Sequence, residues 1–223
     1  MDPRSVIAID GYASTGKSTL AKMLSKHYQI PFVDSGALYR GITLFALERS
    51  FFKNDEIDEY ALSKVLESIS LKFGFETGEL YLNGENISKK IRLPNVSDHV
   101  STIADLTIVR AFLLNQLRHM ASENGLVMDG RDIGTVVFPN ADYKFFFIAR
   151  PEIRALRRHE ELKAEGQKIN FDKVLNNLIH RDQSDVNRKI APLRKAEDAF
   201  EIDTSDVSKD QVFALLLEKI DSK

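Results

Sequence analysis

The segment Gly11-Tyr12-Ala13-Ser14-Thr15-Gly16-Lys17-Ser18-Thr19 is the most informative part of this sequence. It fits the phosphate-binding pattern G-x-x-x-x-G-K-[ST] and stands between an apolar segment and a helical pattern, as a P-loop does. Its glycines let the backbone curl so that successive N–H groups face one anion. Because Lys17 can reach the β- and γ-phosphates and the Ser18 hydroxyl can bind Mg²⁺, the segment predicts a nucleotide-phosphate site.

Short apolar segments alternate with helical patterns along the rest of the chain. The predicted strands are residues 6–10, 32–34, 126–129, 144–149 and 199–203. The predicted helices of this core are residues 17–27, 37–48, 107–123, 151–164, 172–183 and 208–220. This alternation predicts an α/β fold of the P-loop NTPase type, in which helices flank a five-stranded parallel sheet.

Residues 54–105 break this alternation. A helical pattern over 56–69 is followed by two short segments, 71–76 and 79–82, with Thr77-Gly78 between them and Asn83-Gly84 beyond. Short alternating segments joined by glycine-containing turns predict a small antiparallel sheet. We therefore expect an insertion, 54–105, in a core made of residues 1–53 and 106–223. A polar stretch, 163–170, predicts the mobile part of a lid at about 150–170.

The composition is typical of a soluble globular protein and argues against several functions. Of the 223 residues, 43% are hydrophobic and 29% are charged. The formal net charge of −2 predicts neither a nucleic-acid partner nor a membrane surface. The chain has no cysteine, which excludes disulfides and thiolate catalysis. Since it has neither a secretory signal nor a long apolar span, we expect a cytoplasmic protein, and a monomer by default.

Other classes of P-loop protein carry motifs that are missing here. Switch GTPases bind guanine with Asn-Lys-x-Asp, and the nearest segment, Asn187-Arg188-Lys189-Ile190, lacks the acid. The Leu-Ser-Gly-Gly signature of transporter ATPases is also missing. These absences favour a small-molecule kinase, and AMP, UMP or a non-nucleotide such as shikimate are open alternatives as its acceptor. The alternative from another class is a regulatory module that binds nucleotide without turnover, and the intact Lys17 and Ser18 argue against it.

Arginines are clustered where a phosphorylated acceptor is expected. Transfer between two anions needs neutralising charge, and arginine supplies a permanent charge with a bidentate fork. Arg40 and Arg131 follow predicted strands, and ligands of open α/β sheets bind at the carboxyl ends of strands. Further charged residues lie on two predicted helices: Arg154, Arg157 and Arg158 on one, and Arg181, Asp182, Asp185 and Arg188 on the other.

Two of these interpretations have an open alternative. Arg154 and Arg158 also fit a solvated, salt-bridged helix surface. Asp129 ends a predicted strand, where an acid can orient Mg²⁺ through water, but it can equally cap the next turn. A kinase that acts on a phosphorylated acceptor needs no general base, because a phosphate oxygen is already an ionised nucleophile.

Four segments in the same order resemble bacterial cytidylate kinases. They are the P-loop, Val33-Asp34-Ser35-Gly36-Ala37-Leu38-Tyr39-Arg40, Asp129-Gly130-Arg131-Asp132-Ile133-Gly134-Thr135-Val136-Val137-Phe138-Pro139, and Arg181-Asp182-Gln183-Ser184-Asp185-Val186-Asn187-Arg188 with Ala191-Pro192-Leu193. The resemblance runs from about residue 6 to the last helix and includes the insertion, which in this family binds the nucleoside monophosphate. It implies direct in-line transfer of the γ-phosphoryl group of ATP to CMP or dCMP, with Mg²⁺ and arginines stabilising the charge.

The resemblance also implies a role for each matching position. The cytosine contacts would be Ser35, Ser101, Arg110 and Asp132. The acceptor phosphate would be bound by Arg40, Arg131 and Arg188, and the sugar by Arg181 and Asp185. Arg157 would close over the ATP phosphates and join Lys17, Arg131 and Arg188 as a catalytic residue. Tyr12 and Thr15 depart from the family, which has proline and glycine or alanine there.

Overall fold

The computed structural model describes residues 1–74, 78–121, 125–164 and 166–222. The chain forms two compact units, Met1–Phe32 with Glu123–Lys223, and Val33–Ser122. The predicted insertion, 54–105, lies within the second unit, and its identity as the monophosphate-binding part stays a prediction.

The strands and helices of the core follow one another in the order that the alternation predicts. The strands are β1 (Val6–Gly11), β2 (Phe32–Asp34), β3 (Phe52–Lys53), β4 (Glu56–Ile57), β5 (Leu71–Phe73), β6 (Leu80–Leu82), β7 (Glu85–Asn86), β8 (Leu126–Asp129), β9 (Tyr143–Ile148) and β10 (Phe200–Asp203). The α-helices are α1 (Lys17–Tyr28), α2 (Ser35–Glu48), α3 (Glu59–Val65), α4 (Pro94–Asp105), α5 (Thr107–Met120), α6 (Pro151–Ala164), α7 (Phe171–Asn187) and α8 (Lys209–Asp221). A short π-helix spans Ile133–Val137.

The main sheet has the strand order β10-β9-β1-β8-β2, and β1 pairs with β8 and β9, and β9 with β10, in parallel. Its interior side chains are large and apolar because strands of a parallel sheet are buried on both faces. Ile7, Ile9, Val127, Phe145 and Phe147 form one hydrophobic core with side chains of α1 and α8. The predicted P-loop NTPase fold, a five-stranded parallel sheet flanked by helices, is confirmed.

The second unit contains the small antiparallel sheet that the glycine turns predict. Its strands pair in the order β5-β6-β7, and β3 and β4 form a separate hairpin. Helix α2 packs against α4, α5 and β6. Gly41 permits the close approach of α2 to this sheet, because a Cβ there would lie 2.8 Å from the Leu71 side chain of β5 and 3.4 Å from that of Leu80 in β6. The predicted strand 71–76 ends at Phe73, and its residues 75–76 lie outside the described residues.

Two helix predictions are wrong in detail. The predicted helix 56–69 begins only at Glu59, because Glu56 and Ile57 pair with the preceding strand. The predicted helix 172–183 ends too early, since α7 continues to Asn187. Helix α5 begins at Thr107, and Leu106 holds its cap position without a side-chain hydrogen bond. Ser208, by contrast, caps α8 through a full capping box with Gln211.

Among the described residues, no single helix has the length and hydropathy to cross a membrane. Helices α4 and α5 satisfy the length and composition criteria only as a pair, and the chain bends by 92° between them.

Candidate active site

The P-loop takes its shape from two glycines in the first unit. Gly11 ends β1 with φ +141°, and a Cβ there would clash with the Phe147 carbonyl of the neighbouring strand. Gly16 precedes α1 with φ +93°. Side chains are strained in this left-handed region, so glycine is required at the bends. The loop therefore leads from the carboxyl end of β1 directly into the amino end of α1, where an anion is stabilised by the helix.

Lys17 is buried at the start of α1, with 5% of its surface exposed. Its Nζ donates to the Tyr12 carbonyl oxygen at 2.5 Å and lies 3.4 Å from Thr15 Oγ1. Burial, followed by the charge of Arg131, lowers the pKa of Lys17 to about 7. A phosphate arriving at this ammonium group would favour its charged form.

Ser18 and Asp129 supply oxygen atoms beside Lys17. The Ser18 hydroxyl donates to Asp129 Oδ2 at 2.5 Å, and Asp129 is the buried last residue of β8. Hydroxyl and carboxylate oxygens are the hard donors that Mg²⁺ prefers, and the ion usually takes its other ligands from phosphates and water. In the described part of the chain, no group of three or more His, Asp or Glu side chains could hold a metal. This donor pair fits Mg²⁺ that arrives with a nucleotide.

A cluster of arginines and aspartates lies on the loop after β8 and on the carboxyl half of α7. Arg131 Nε donates to Asp185 Oδ2 at 2.6 Å. Arg188 contacts both Asp132 Oδ1, at 3.2 Å, and Asp185 Oδ1, at 3.5 Å. These carboxylates hold the two guanidinium groups in fixed orientations before any ligand is bound.

Charge within this cluster shifts the pKa values of its members. Burial opposes the charge of Asp185, but Arg131 and Arg181 outweigh it and hold the pKa of Asp185 below its ordinary value. Burial, then repulsion from Arg131, lowers the pKa of Arg181 to about 10. The cluster therefore brings Arg131, Arg181 and Asp185 close enough for their charges to act on one another.

Arg157 bonds to a residue that the sequence interpretation did not include. Its Nη2 donates to the Thr204 carbonyl oxygen at 2.5 Å, and its Nη1 lies 3.2 Å from Thr204 Oγ1. The Thr204 hydroxyl donates in turn to the Thr15 carbonyl oxygen of the P-loop at 3.0 Å. Thr204 directly follows β10. Its position at the carboxyl end of a strand is the sequence feature that could have indicated a site residue here. Contact of Arg157 with ATP stays a prediction.

Arg154 and Arg158 differ although they share α6. Arg154 is 3% exposed and bonds to Asp182 at 2.6 Å, so the surface interpretation is wrong for this residue. Arg158 pairs with Glu161 at 3.1 Å, and the Glu161 side chain is 59% exposed. Arg158 itself is half-buried, with 25% of its side chain exposed, and its charge acts on the buried Arg181.

The other four predicted contacts lie in the second unit. Ser35 is the buried first residue of α2, whose N-terminus is capped by the Asp34 carboxylate accepting from Ala37 N at 3.0 Å. Arg40 Nη1, also on α2, donates to the Ile91 carbonyl oxygen at 3.1 Å and to Ser97 Oγ at 2.9 Å.

Ser101 and Arg110 lie on the two following helices of this unit. Ser101 is half-buried on α4. Arg110, on α5, is buried, donates through Nε to the Ala104 carbonyl oxygen at 2.7 Å, and lies 5.5 Å from the centre of the Tyr39 ring. The second unit therefore holds both arginines by hydrogen bonds to backbone carbonyl groups.

Asp10 is a buried acid beside the P-loop that the sequence interpretation missed. Its carboxylate accepts from the backbone N–H groups of Ile133 and Gly134, at 2.8 and 2.7 Å. Burial raises the pKa of Asp10 to about 6 despite these two hydrogen bonds. The residue links β1 to the loop that carries Arg131 and Asp132. The only sequence feature that could have indicated Asp10 is its position immediately before the P-loop.

Asp10→Asn is expected to remove a pH-dependent part of the stability. The pKa of Asp10 in the folded chain, about 6, lies above its ordinary 3.8, so the folded state binds the extra proton between these values. The wild-type unfolding free energy should therefore fall, relative to that of Asp10→Asn, by roughly 2 kcal/mol as the pH rises from 4 to 6.5. Urea unfolding of both proteins across this range measures the difference; parallel curves would contradict the prediction.

A family model supplies the decisive comparison. The model described as Cytidylate kinase matches residues 7–222 of this chain. A cytidylate kinase from Flavobacterium johnsoniae is 46% identical over 218 residues, which cover 96% of this chain and 95% of that protein. The chain belongs to the cytidylate kinase family. A cytidylate kinase from Bacteroides thetaiotaomicron is 47% identical over 209 residues, 92% of this chain and 91% of that protein.

A solved structure of much lower sequence identity has a similar fold. A crystal structure of an uncharacterized protein from Eubacterium ventriosum matches with a TM-score of 0.54 at 16% identity, over 99% of both chains. At this identity the likeness concerns the fold alone. Membership of the cytidylate kinase family confirms the resemblance found in the sequence and the prediction of a kinase. The contacts of individual residues with substrate stay predictions.

Proposed function

We propose that this protein transfers the γ-phosphoryl group of ATP to CMP or dCMP, forming ADP and CDP or dCDP. The main structural support is electrostatic. The charges of Arg131 and Arg181 act on the P-loop lysine strongly enough to help lower its pKa. A lysine for the donor phosphates and arginines for the acceptor phosphate thus share one charged environment, which transfer between two anions requires.

The proposed step is a direct in-line displacement. An oxygen of the acceptor phosphate forms a bond to the γ-phosphorus of ATP, while the bond from that phosphorus to the β–γ bridging oxygen breaks. The attacking oxygen is already ionised, so no side chain has to remove a proton. Lys17, Arg131, Arg157 and Arg188 would neutralise the charge spread over the transferring group.

Mg²⁺ has a defined place in this proposal. When bound, it would supply positive charge to the β- and γ-phosphate oxygens of ATP. Ser18 would offer its hydroxyl oxygen as a ligand, and Asp129 would orient the ion through water. The hydrogen bond between Ser18 and Asp129 supports this assignment, because it keeps both oxygens beside the P-loop.

The proposed acceptor contacts follow the family resemblance. In the first unit, Asp132 would accept from the exocyclic amine of cytosine, and Arg181 and Asp185 would bind the sugar. Asp185 would bind the 3′-hydroxyl, which CMP and dCMP share. In the second unit, the proposed cytosine contacts are Ser35, Ser101 and Arg110, and the proposed phosphate contact is Arg40.

An acceptor panel tests this function. We expect CMP and dCMP to be good acceptors and UMP a poor one, because uracil would set a carbonyl oxygen against the Asp132 carboxylate. An unpaired buried group costs about 1–3 kcal/mol, so kcat/KM for UMP should be lower by about 5- to 150-fold. Coupled measurement of ADP release with CMP, dCMP, UMP, AMP and shikimate gives the comparison.

Each outcome of the panel separates the alternatives. Comparable rates with UMP and CMP would remove the basis for cytosine recognition. Faster turnover of AMP or shikimate would assign another acceptor. Binding of ATP with no ADP release for any acceptor would favour the regulatory module that binds nucleotide without turnover. A cytoplasmic monomer and a mobile 163–170 segment stay predictions.

A further inference from the structure

One buried guanidinium group joins the P-loop to two helices. Arg154, on the first turn of α6, donates through Nε to the Ala149 carbonyl oxygen at 2.9 Å. Its Nη1 donates to Asp182 Oδ2 on α7, at 2.6 Å, and to the Ala13 carbonyl oxygen of the P-loop, at 3.3 Å. Its Cζ lies 5.2 Å from the centre of the Tyr12 ring. Arg154 therefore contacts the P-loop backbone from the side of α6 and α7.

Apolar packing reinforces the same connection. Ala13 is buried in a hydrophobic cluster with Ala155 and Leu162 of α6 and with Val174 and Leu178 of α7. The helix pair and this part of the P-loop thus share one small core. A displacement of either helix would be transmitted to Ala13 by direct contact.

The hydrogen bond to Ala13 has a consequence for the neighbouring residue. The peptide unit is planar and trans, so fixing the Ala13 carbonyl also fixes the Ser14 N–H, which points the opposite way. Ser14 has φ +57°, a left-handed conformation that is unfavourable for serine and persists only where the surroundings hold it. Arg154 holds the peptide that precedes this bend.

Asp182 keeps Arg154 in place. Asp182 is 9% exposed, and burial, partly offset by the charge of Arg154, raises its pKa above the ordinary value. Its second oxygen, Oδ1, is buried without a hydrogen-bond partner among the described residues. Arg154 is thus the principal compensation for this buried acid, and either residue alone would leave an unpaired buried charge.

We propose that Arg154 and Asp182 are positioning residues for ATP, which act by fixing the Ala13–Ser14 peptide of the P-loop. Neither touches the reacting atoms in this proposal. The inference rests only on the ATP-binding half of the proposed function. It predicts that breaking the connection weakens ATP binding even when the fold is intact.

The test uses three variants of the full chain and binding of ATP with Mg²⁺ in the absence of acceptor. Arg154→Lys keeps a positive charge beside Asp182 but cannot donate to three groups in the same geometry. The double variant Arg154→Met with Asp182→Leu removes both buried charges together, so its Tm should stay close to that of the wild type. Arg150→Ala is the matched control, because the exposed Arg150 side chain forms an ion pair with the exposed Asp206.

The three variants are expected to differ in how far they raise the Kd for ATP. Calorimetry should give an ATP Kd about 10-fold higher for the double variant and a smaller increase for Arg154→Lys. The Arg150→Ala control should keep the wild-type Kd. Because small misplacements of binding groups slow transfer strongly, kcat with CMP should fall by about 10- to 100-fold in the double variant.

The outcome that overturns the inference is specific. An ATP Kd within two-fold of the wild type in both Arg154→Lys and the double variant, each with a cooperative melt, would show that the connection does not position the P-loop. Absence of turnover with CMP in the wild type would instead refute the proposed acceptor. That result would leave the ATP binding measurements valid.

Discussion

Lys17→Met is expected to reduce phosphoryl transfer by about 10³-fold or more while the chain stays folded. The methionine keeps the buried aliphatic part of the side chain and removes the ammonium group. That group lies within the P-loop and is the one cation on the loop that reaches the β- and γ-phosphates in the proposed mechanism. Acceptor-dependent ADP release measures the loss.

The stability of this variant should move in the opposite direction to its activity. Burial lowers the pKa of Lys17 to about 7, below the ordinary 10.5, so the folded chain disfavours the charged form. This cost is present in full below pH 7 and is relieved as the pH rises from 7 towards 10. At neutral pH Lys17→Met should therefore melt no lower than the wild type.

Lys22→Met is the matched control for the activity measurement. Lys22 lies on the same helix, is exposed, and contacts the Phe32 ring at 5.7 Å rather than the P-loop. Its replacement should leave kcat and both KM values unchanged. Normal transfer by a folded Lys17→Met variant would refute the role given to Lys17.

The core of the fold could be predicted because its signals are local. Short apolar segments between amphipathic helical patterns are typical of buried strands, and β2 and β8 have the predicted bounds. The second unit was harder. Helix α4 contains Asn95, Ser97, Asp98 and His99, whose polarity hides the apolar stripe, so the sequence indicated α5 but not α4.

The site was predictable where a motif carries the chemistry and not where distant residues meet. The P-loop and the segment around Arg131 are continuous in sequence. Asp10 bonds to residues more than 120 positions away, and Arg154 bonds to Ala13 across 141 positions. Spacing along one helix cannot reveal such pairs. The sequence pattern of Arg154 therefore also fits a surface residue, although the structure buries it.

Arg131→Met is expected to lower kcat/KM for CMP by about 10³-fold, the effect of losing an arginine that neutralises a transferring phosphoryl group. Two causes act together. The acceptor phosphate loses a guanidinium group, and Asp185 loses the partner that lies 2.6 Å away. The Asp185 carboxylate, with one arginine partner fewer, would then repel the acceptor phosphate more strongly. Arg131→Lys keeps the charge without the fork and should lose less, about 10- to 100-fold.

The pH profile gives this prediction a readout that simple misfolding would not produce. Arg131 is the second cause, after burial, of the low pKa of Lys17, so its removal should raise that pKa towards the ordinary value. In the wild type, kcat/KM for ATP should fall as the pH rises above about 7, because free Lys17 loses its proton. In Arg131→Met the same decline should begin at a higher pH although the rate is lower throughout. A decline at the same pH in both proteins would mean that Arg131 does not act on Lys17, and the shared charged environment on which transfer depends would not exist.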